Sequence, residues 1–248
     1  MITYLYAVGR DLGTLPDVGS GGVGGGELRL VAEAGLQAVV SDVEREAFED
    51  LDAQQEDLTW LAAVARAHHG VVEAVGREHA IAPLALATVY LDDDRVRSVL
   101  RESREGFTAV LDRITGRDEW GVKAYMRPSG ASGGSGSAAE RPASGAAYLR
   151  ARRTALREGD AAVTEAERAA DEVDAALAAI AIESRRHPPQ DRSLTGRTER
   201  MVLNGAYLVD RASAEDLRAL VDRLAEGTRL DLELTGPWVP YSFAGGGA

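Results

Sequence analysis

The chain has 248 residues, a formal net charge of −12, 45% hydrophobic and 27% charged residues, and no cysteine. Disulfides, thiolate metal sites and cysteine nucleophiles are thereby excluded, and the acidic balance argues against charge-driven binding to nucleic acid or anionic lipid. No apolar run reaches the ~20 residues of a membrane span, and the first residues lack the basic head of a secretory leader, so a cytoplasmic protein is expected.

Ile2 to Val8 is apolar and rich in β-formers and reads as a strand. The glycine-rich stretch from Gly9 to Gly26 reads as a flexible surface loop. Leu28–Val31 and Leu36–Ser41 suggest a hairpin, and Asp42–Ala53 a short helix or turn. Leu58–Glu78 repeats apolar residues at helical spacing, with Asp57 a candidate N-cap. Beyond Pro83, the unbroken apolar run Leu84–Leu91 predicts a buried strand. Asp92, Asp93 and Asp94 should cap a helix over Arg95–Thr115.

Trp120–Met126 alternates as a strand and opens a second unit. The Gly/Ser segment 128–145 cannot bury enough surface to order itself. A long helix is expected from about 146 to 186, ending at Pro188 and Pro189. In it Leu149, Leu156, Val163, Ala170 and Leu177 recur every seven residues, with Ala166, Val173 and Ile180 in the second heptad position. Part of so long a helix should project or pair with something. Met201–Val209 is a strand, Ser213 starts a helix with a capping-box pattern, and Arg229–Thr235 is the last strand. The fold class is α+β in two domains, 1–116 and 117–248, the second ferredoxin-like (βαβαβ) with an extended helix.

Motifs with chemistry in them do not survive their context. Gly19, Gly21 and Gly24 match a dinucleotide-loop pattern but lack the strand before and the helix after. Gly130-Ala-Ser132-Gly-Gly134 matches a nucleophile elbow inside a Gly/Ser linker. His68 and His79 stand too far apart on a helix to share a metal, so His68 and His69 read as packing residues. The Asp92–Asp94 run lacks the spacing of a calcium loop, and Asp231 and Glu233 lie on a wet strand face. No catalytic residue, metal ligand or cofactor site is assigned.

The end of the chain is the exception. Trp238, Tyr241 and Phe243 fall within six residues stiffened by Pro237 and Pro240, in a chain only 5% aromatic. They either clamp a sheet end onto its own core or anchor a partner, and Trp238 reads as the clamp.

Six blocks in order resemble the GvpF/GvpL family of gas vesicle proteins: Tyr4–Gly9, His68–Glu73, Pro83–Tyr90, Trp120–Lys123, Leu203–Val209 and Gly236–Phe243. The chain departs from the family at Ala85, Leu86 and Ala87, where an Arg-Phe-Gly run is usual, and in a longer Gly/Ser insertion. The resemblance implies an accessory, non-enzymatic protein of gas vesicle assembly, cytoplasmic and associated with gas vesicles. It would act by contact with the small shell protein and other accessory proteins. Candidate contact residues are Leu149, Leu156 and Val163 on the long helix, with Trp238, Tyr241 and Phe243. The alternative is a small-molecule-sensing module on a ferredoxin-like fold.

Overall fold

The computed structural model describes residues 1–19, 21–48, 58–127, 145–190 and 196–245; in the helix beginning at 145, side chains are described from Arg152 onward, residue 155 excepted. The chain forms two compact units. One comprises Met1–Glu119 together with Gly236–Ala248, the other Trp120–Thr235. The segment after Thr235, expected with the second domain, therefore packs with the first. The reason is burial: Phe243 and Ala244 are withdrawn from solvent there.

The first unit is built on strand β1 (Ile2–Gly9), buried along its whole length. It pairs antiparallel with β3 (Leu36–Val43), which pairs with β2 (Arg29–Glu33) through a two-residue hairpin. Ala34 and Gly35 both take positive φ in that hairpin (53° and 79°), the turn whose twist matches the flanking strands. On its other edge β1 pairs with β4 (Ile81–Pro83) and β5 (Val89–Tyr90). The single strand expected over Leu84–Leu91 is thus two short strands, displaced and interrupted. Between them Ala87 takes φ 63°, and its N–H donates to the Tyr4 hydroxyl at 3.0 Å. A side-chain bond from a residue 83 positions away breaks what local pattern reads as continuous.

Helix α1 (Leu58–Gly76) buries Val64, His68, Val71, Val72 and Val75 against this sheet. Its proposed cap Asp57, residues 49–53 of the expected Asp42–Ala53 element and the Gly/Ser segment 128–144 lie outside the described residues; Asp42 and Val43 finish β3, and Arg45–Phe48 is a short 3-10 turn. Asp92 caps the next helix by accepting from the Arg95 N–H at 2.8 Å. The one helix expected over Arg95–Thr115 is two, α2 (Asp93–Glu102) and α3 (Arg104–Ile114), parted at Ser103 with φ −100°, ψ 16°. Backbone bonds Ser103 N–H to Val99 O and Phe107 N–H to Ser103 O continue the ladder across the kink, so the apolar stripe passes through undisturbed.

The glycine-rich stretch is more than a surface loop. Val23 within it is buried, and its N–H donates to the Tyr6 hydroxyl at 2.7 Å. A Cβ on Gly22 would collide with that hydroxyl, which explains glycine at this position.

In the second unit the sheet order is β7 (Glu183–Arg186), β8 (Met201–Asp210), β6 (Arg117–Met126), β9 (Leu230–Trp238). Helix α4 (Gly145–Ala178) follows β6, and α5 (Ala214–Gly227) follows β8. Their apolar faces and the strands enclose a core of Trp120, Val122, Val173, Leu177, Leu203, Tyr207 and Leu217. The long helix ends eight residues earlier than expected. Residues 183–186 instead form β7, antiparallel to β8, a strand the sequence reading missed. The heptad pattern runs through Ile180 and hides the change of period. Ser213 precedes α5 without the side-chain cap bond its pattern suggests. Both sheets are antiparallel.

Strand β9 also runs further than the sequence implies. No turn forms at Gly236-Pro237: the chain stays extended to Trp238, with Gly236 at φ 120°, a conformation glycine tolerates. Helix α6 (Tyr241–Ala244) follows.

Candidate interaction surface

Two features could meet a partner: the closing aromatic segment in the first unit and the exposed stretch of α4 in the second. Among the described residues no group of three His, Asp or Glu side chains is placed to hold a metal ion, and no helix is long and apolar enough to cross a membrane.

The first unit holds an aromatic cluster at whose centre is His68. Its Nδ1 lies 3.0 Å from the Tyr4 hydroxyl. Its ring centroid lies 5.7 Å from that of Tyr4 and 5.6 Å from that of Tyr6. Tyr4 and Tyr6 alternate on β1, and a register shift against β3 between Leu5 and Ala7 adds a residue there. Tyr6 hydrogen-bonds Ser41 Oγ at 2.7 Å. Burial pushes the His68 imidazole down to about 4, with a weaker opposing backbone contact from Leu84, so the ring is neutral near pH 7. Burial likewise raises both phenols, and all three groups stay uncharged. This is a packing role, as the sequence suggests for His68.

The closing segment lies over the same cluster. Tyr241 sits 6.4 Å from the His68 ring and 6.3 Å from that of His69. The segment is held by named bonds. Ser242 donates its N–H (2.8 Å) and hydroxyl (2.6 Å) to the Glu119 carboxylate, and Arg113 donates to the Phe243 carbonyl. Val239 packs against the core. Phe243 is fully buried, whereas Trp238 is 45% and Tyr241 37% exposed. The clamp assigned to Trp238 is thus carried by Phe243, five residues further on, and Trp238 and Tyr241 keep open faces. Nothing local in the sequence distinguishes these three rings; only the destination of the chain does.

In the second unit α4 divides along its length. Ala170, Val173 and Leu177 are buried in the core. Towards the N-terminus the same stripe leaves the sheet: Val163 is half-buried and Leu156 is 62% exposed. Every described side chain from Arg152 to Ala161 is exposed. The Leu149 side chain lies outside the described residues. A hollow of about 480 Å³ beside the helix is lined by Met126, Arg127, Glu165, Arg168 and Arg229 among others. Arg168 there already pairs with Glu165 and Glu172, and the hollow opens to solvent.

The family model described as gas vesicle synthesis protein GvpL/GvpF matches residues 2–245, nearly the whole chain. The chain belongs to the GvpL/GvpF family. It is 42% identical to gas vesicle protein L of Streptomyces sp. (strain CB03234), covering 98% of this chain and 93% of that protein. Gas vesicle protein F of the same organism is 30% identical, covering 98% and 99%. Crystal structures of GvpF from Anabaena sp. PCC7120 (TM-score 0.65, 18% identity, 98% and 95% covered) and Microcystis aeruginosa (TM-score 0.64, 14% identity, 98% of each) share the α+β fold. The GvpL/GvpF match spans both units and includes the closing segment.

Proposed function

We propose that the protein is an accessory factor of gas vesicle formation that works by protein–protein contact, in the cytoplasm and in association with gas vesicles, without a catalytic step or cofactor. Family membership over residues 2–245 supports the role in gas vesicle formation. The contact mechanism rests on one observation above all: the stripe that α4 uses to build its own core continues into a stretch whose described side chains, Leu156 among them, are exposed. An apolar residue held out on a rigid helix is an anchor for a groove or a second helix.

The partners are the small apolar shell protein and other gas vesicle accessory proteins. Leu156 and Val163, extended by Leu149, form one contact surface; Trp238 and Tyr241 form another. Phe243 is left out because it is buried. The chain's acidic charge keeps a complex with an apolar subunit soluble. We read the two compact units as two domains and the second as a ferredoxin-like domain with an added arm; the order β7-β8-β6-β9 with helices after β6 and β8 supports this. The sensing alternative draws little from the open, ion-paired hollow beside α4.

The test is capture of purified shell protein by the immobilised full chain. Replacing Leu149, Leu156 and Val163 by serine, or Trp238 and Tyr241 by serine, should reduce capture while circular dichroism stays unchanged. Capture equal to the parent by both variants would refute contact through these surfaces.

A further inference from the structure

The exposed stretch of α4 carries a pattern of its own. Leu156 and Gly159 sit three apart on one face, with Arg152 and Val163 a turn further out at either end. Arg153 and Asp160 flank that face on one side, seven residues apart. Both are exposed, and neither forms an ion pair with another described residue. Gly159 is unexplained by its own unit: a Cβ there would meet nothing within 4 Å. Mid-helix glycine weakens a helix by about 1 kcal/mol relative to alanine, so open space does not account for it.

An antiparallel partner helix with this same sequence accounts for these features together. When two copies cross about a two-fold axis between Arg157 and Glu158, residue i faces residue 315 − i of the other copy, a number set by that axis. Leu156 then lies over Gly159 of the second copy, and each glycine opens the space its opposing leucine fills. Arg152 lies opposite Val163, its methylenes covering the valine while the guanidinium reaches water. Arg153 comes beside Asp160, twice by symmetry, so two charges that pair with no other described residue find opposite ones. A helix carrying its cation before the axis and its anion after it is complementary to itself only in the antiparallel sense.

We propose that this stretch of α4 pairs with the same stretch of a second copy of the chain, forming a two-fold antiparallel homodimer. The overlap is short, about 18 Å from Arg152 to Val163, so the dimer is weak and concentration-dependent. The pairing does not rest on the contact with shell protein, because it is read on the purified full-length chain alone.

Sedimentation equilibrium over a rising concentration series should show a monomer–dimer equilibrium that weakens with added salt. Arg153→Glu and Asp160→Arg should each weaken the dimer about tenfold by placing like charges together, and an equimolar mixture of the two should regain parental affinity. Gly159→Gln should weaken the dimer while raising helix content, the opposite of what improved helix propensity alone would give. A chain monomeric up to about 1 mM would overturn the proposal. So would a dimer unaffected by both charge reversals, or a mixture that fails to recover.

Discussion

Tyr4 on the first strand and His68 on α1 meet at 3.0 Å between hydroxyl and Nδ1, and the same hydroxyl accepts the Ala87 N–H within the break between β4 and β5. One phenol thus ties a strand, a helix and an irregular edge together inside the first unit.

The His68 ring makes stability depend on pH in a definite window. Its pKa falls from 6.5 to about 4 on folding because burial disfavours the charged ring. The unfolded chain binds the proton first, so this stability is fully present above about 6.5 and is lost as pH falls towards 4. The contribution is about 3 kcal/mol in magnitude. Urea unfolding of the parent should lose more stability across that window than His68→Gln, which cannot titrate there. Parallel curves would show that His68 is not neutral in the fold.

Tyr6→Phe should destabilise the protein by about 1–3 kcal/mol, since it leaves the buried Val23 N–H without its acceptor and Ser41 without its partner. Chemical denaturation measures the loss. A neutral result would mean that Gly22–Gly26 rearranges to bond elsewhere.

Phe243→Ala and Trp238→Ala should differ sharply although five residues separate them. The first empties a fully buried site and should cost about 3–5 kcal/mol; the second, about 1 kcal/mol or less. Equal losses in thermal or urea unfolding would contradict the division of labour between the two rings.

Glu119→Ala should act locally. It removes the acceptor for both the Ser242 N–H and hydroxyl, so amide exchange at Ser242 should speed up about tenfold, with little change in the strands of the second unit. Unchanged exchange at Ser242 would show that Arg113 and Phe243 hold the segment unaided.

Local pattern carried much of this fold. β1, the β2–β3 hairpin, α1, α5 and the Asp92 cap are all written in short-range periodicity or capping chemistry. What escaped was set by distant partners. The break at Ala87 follows from a hydroxyl on β1, and β7 forms because β8 offers it an edge. The kink at Ser103 leaves the apolar stripe intact and so leaves no trace in periodicity. For the candidate surface, the heptad marked the right helix but not where its stripe stops being core. The three C-terminal rings were visible; which one is buried depends on Glu119, Arg113 and the cluster around His68, none of them nearby in sequence.

The first unit is discontinuous, with Trp120–Thr235 interposed between its two pieces. During synthesis the second unit has its whole sequence available before the ribosome reaches Gly236. The first must wait for Phe243, and until then its hydrophobic interior stands open where that ring will sit. The part made earliest is therefore completed last, and a polypeptide stopped just short of its aromatic end would hold one finished unit and one whose interior is uncovered at the Phe243 site.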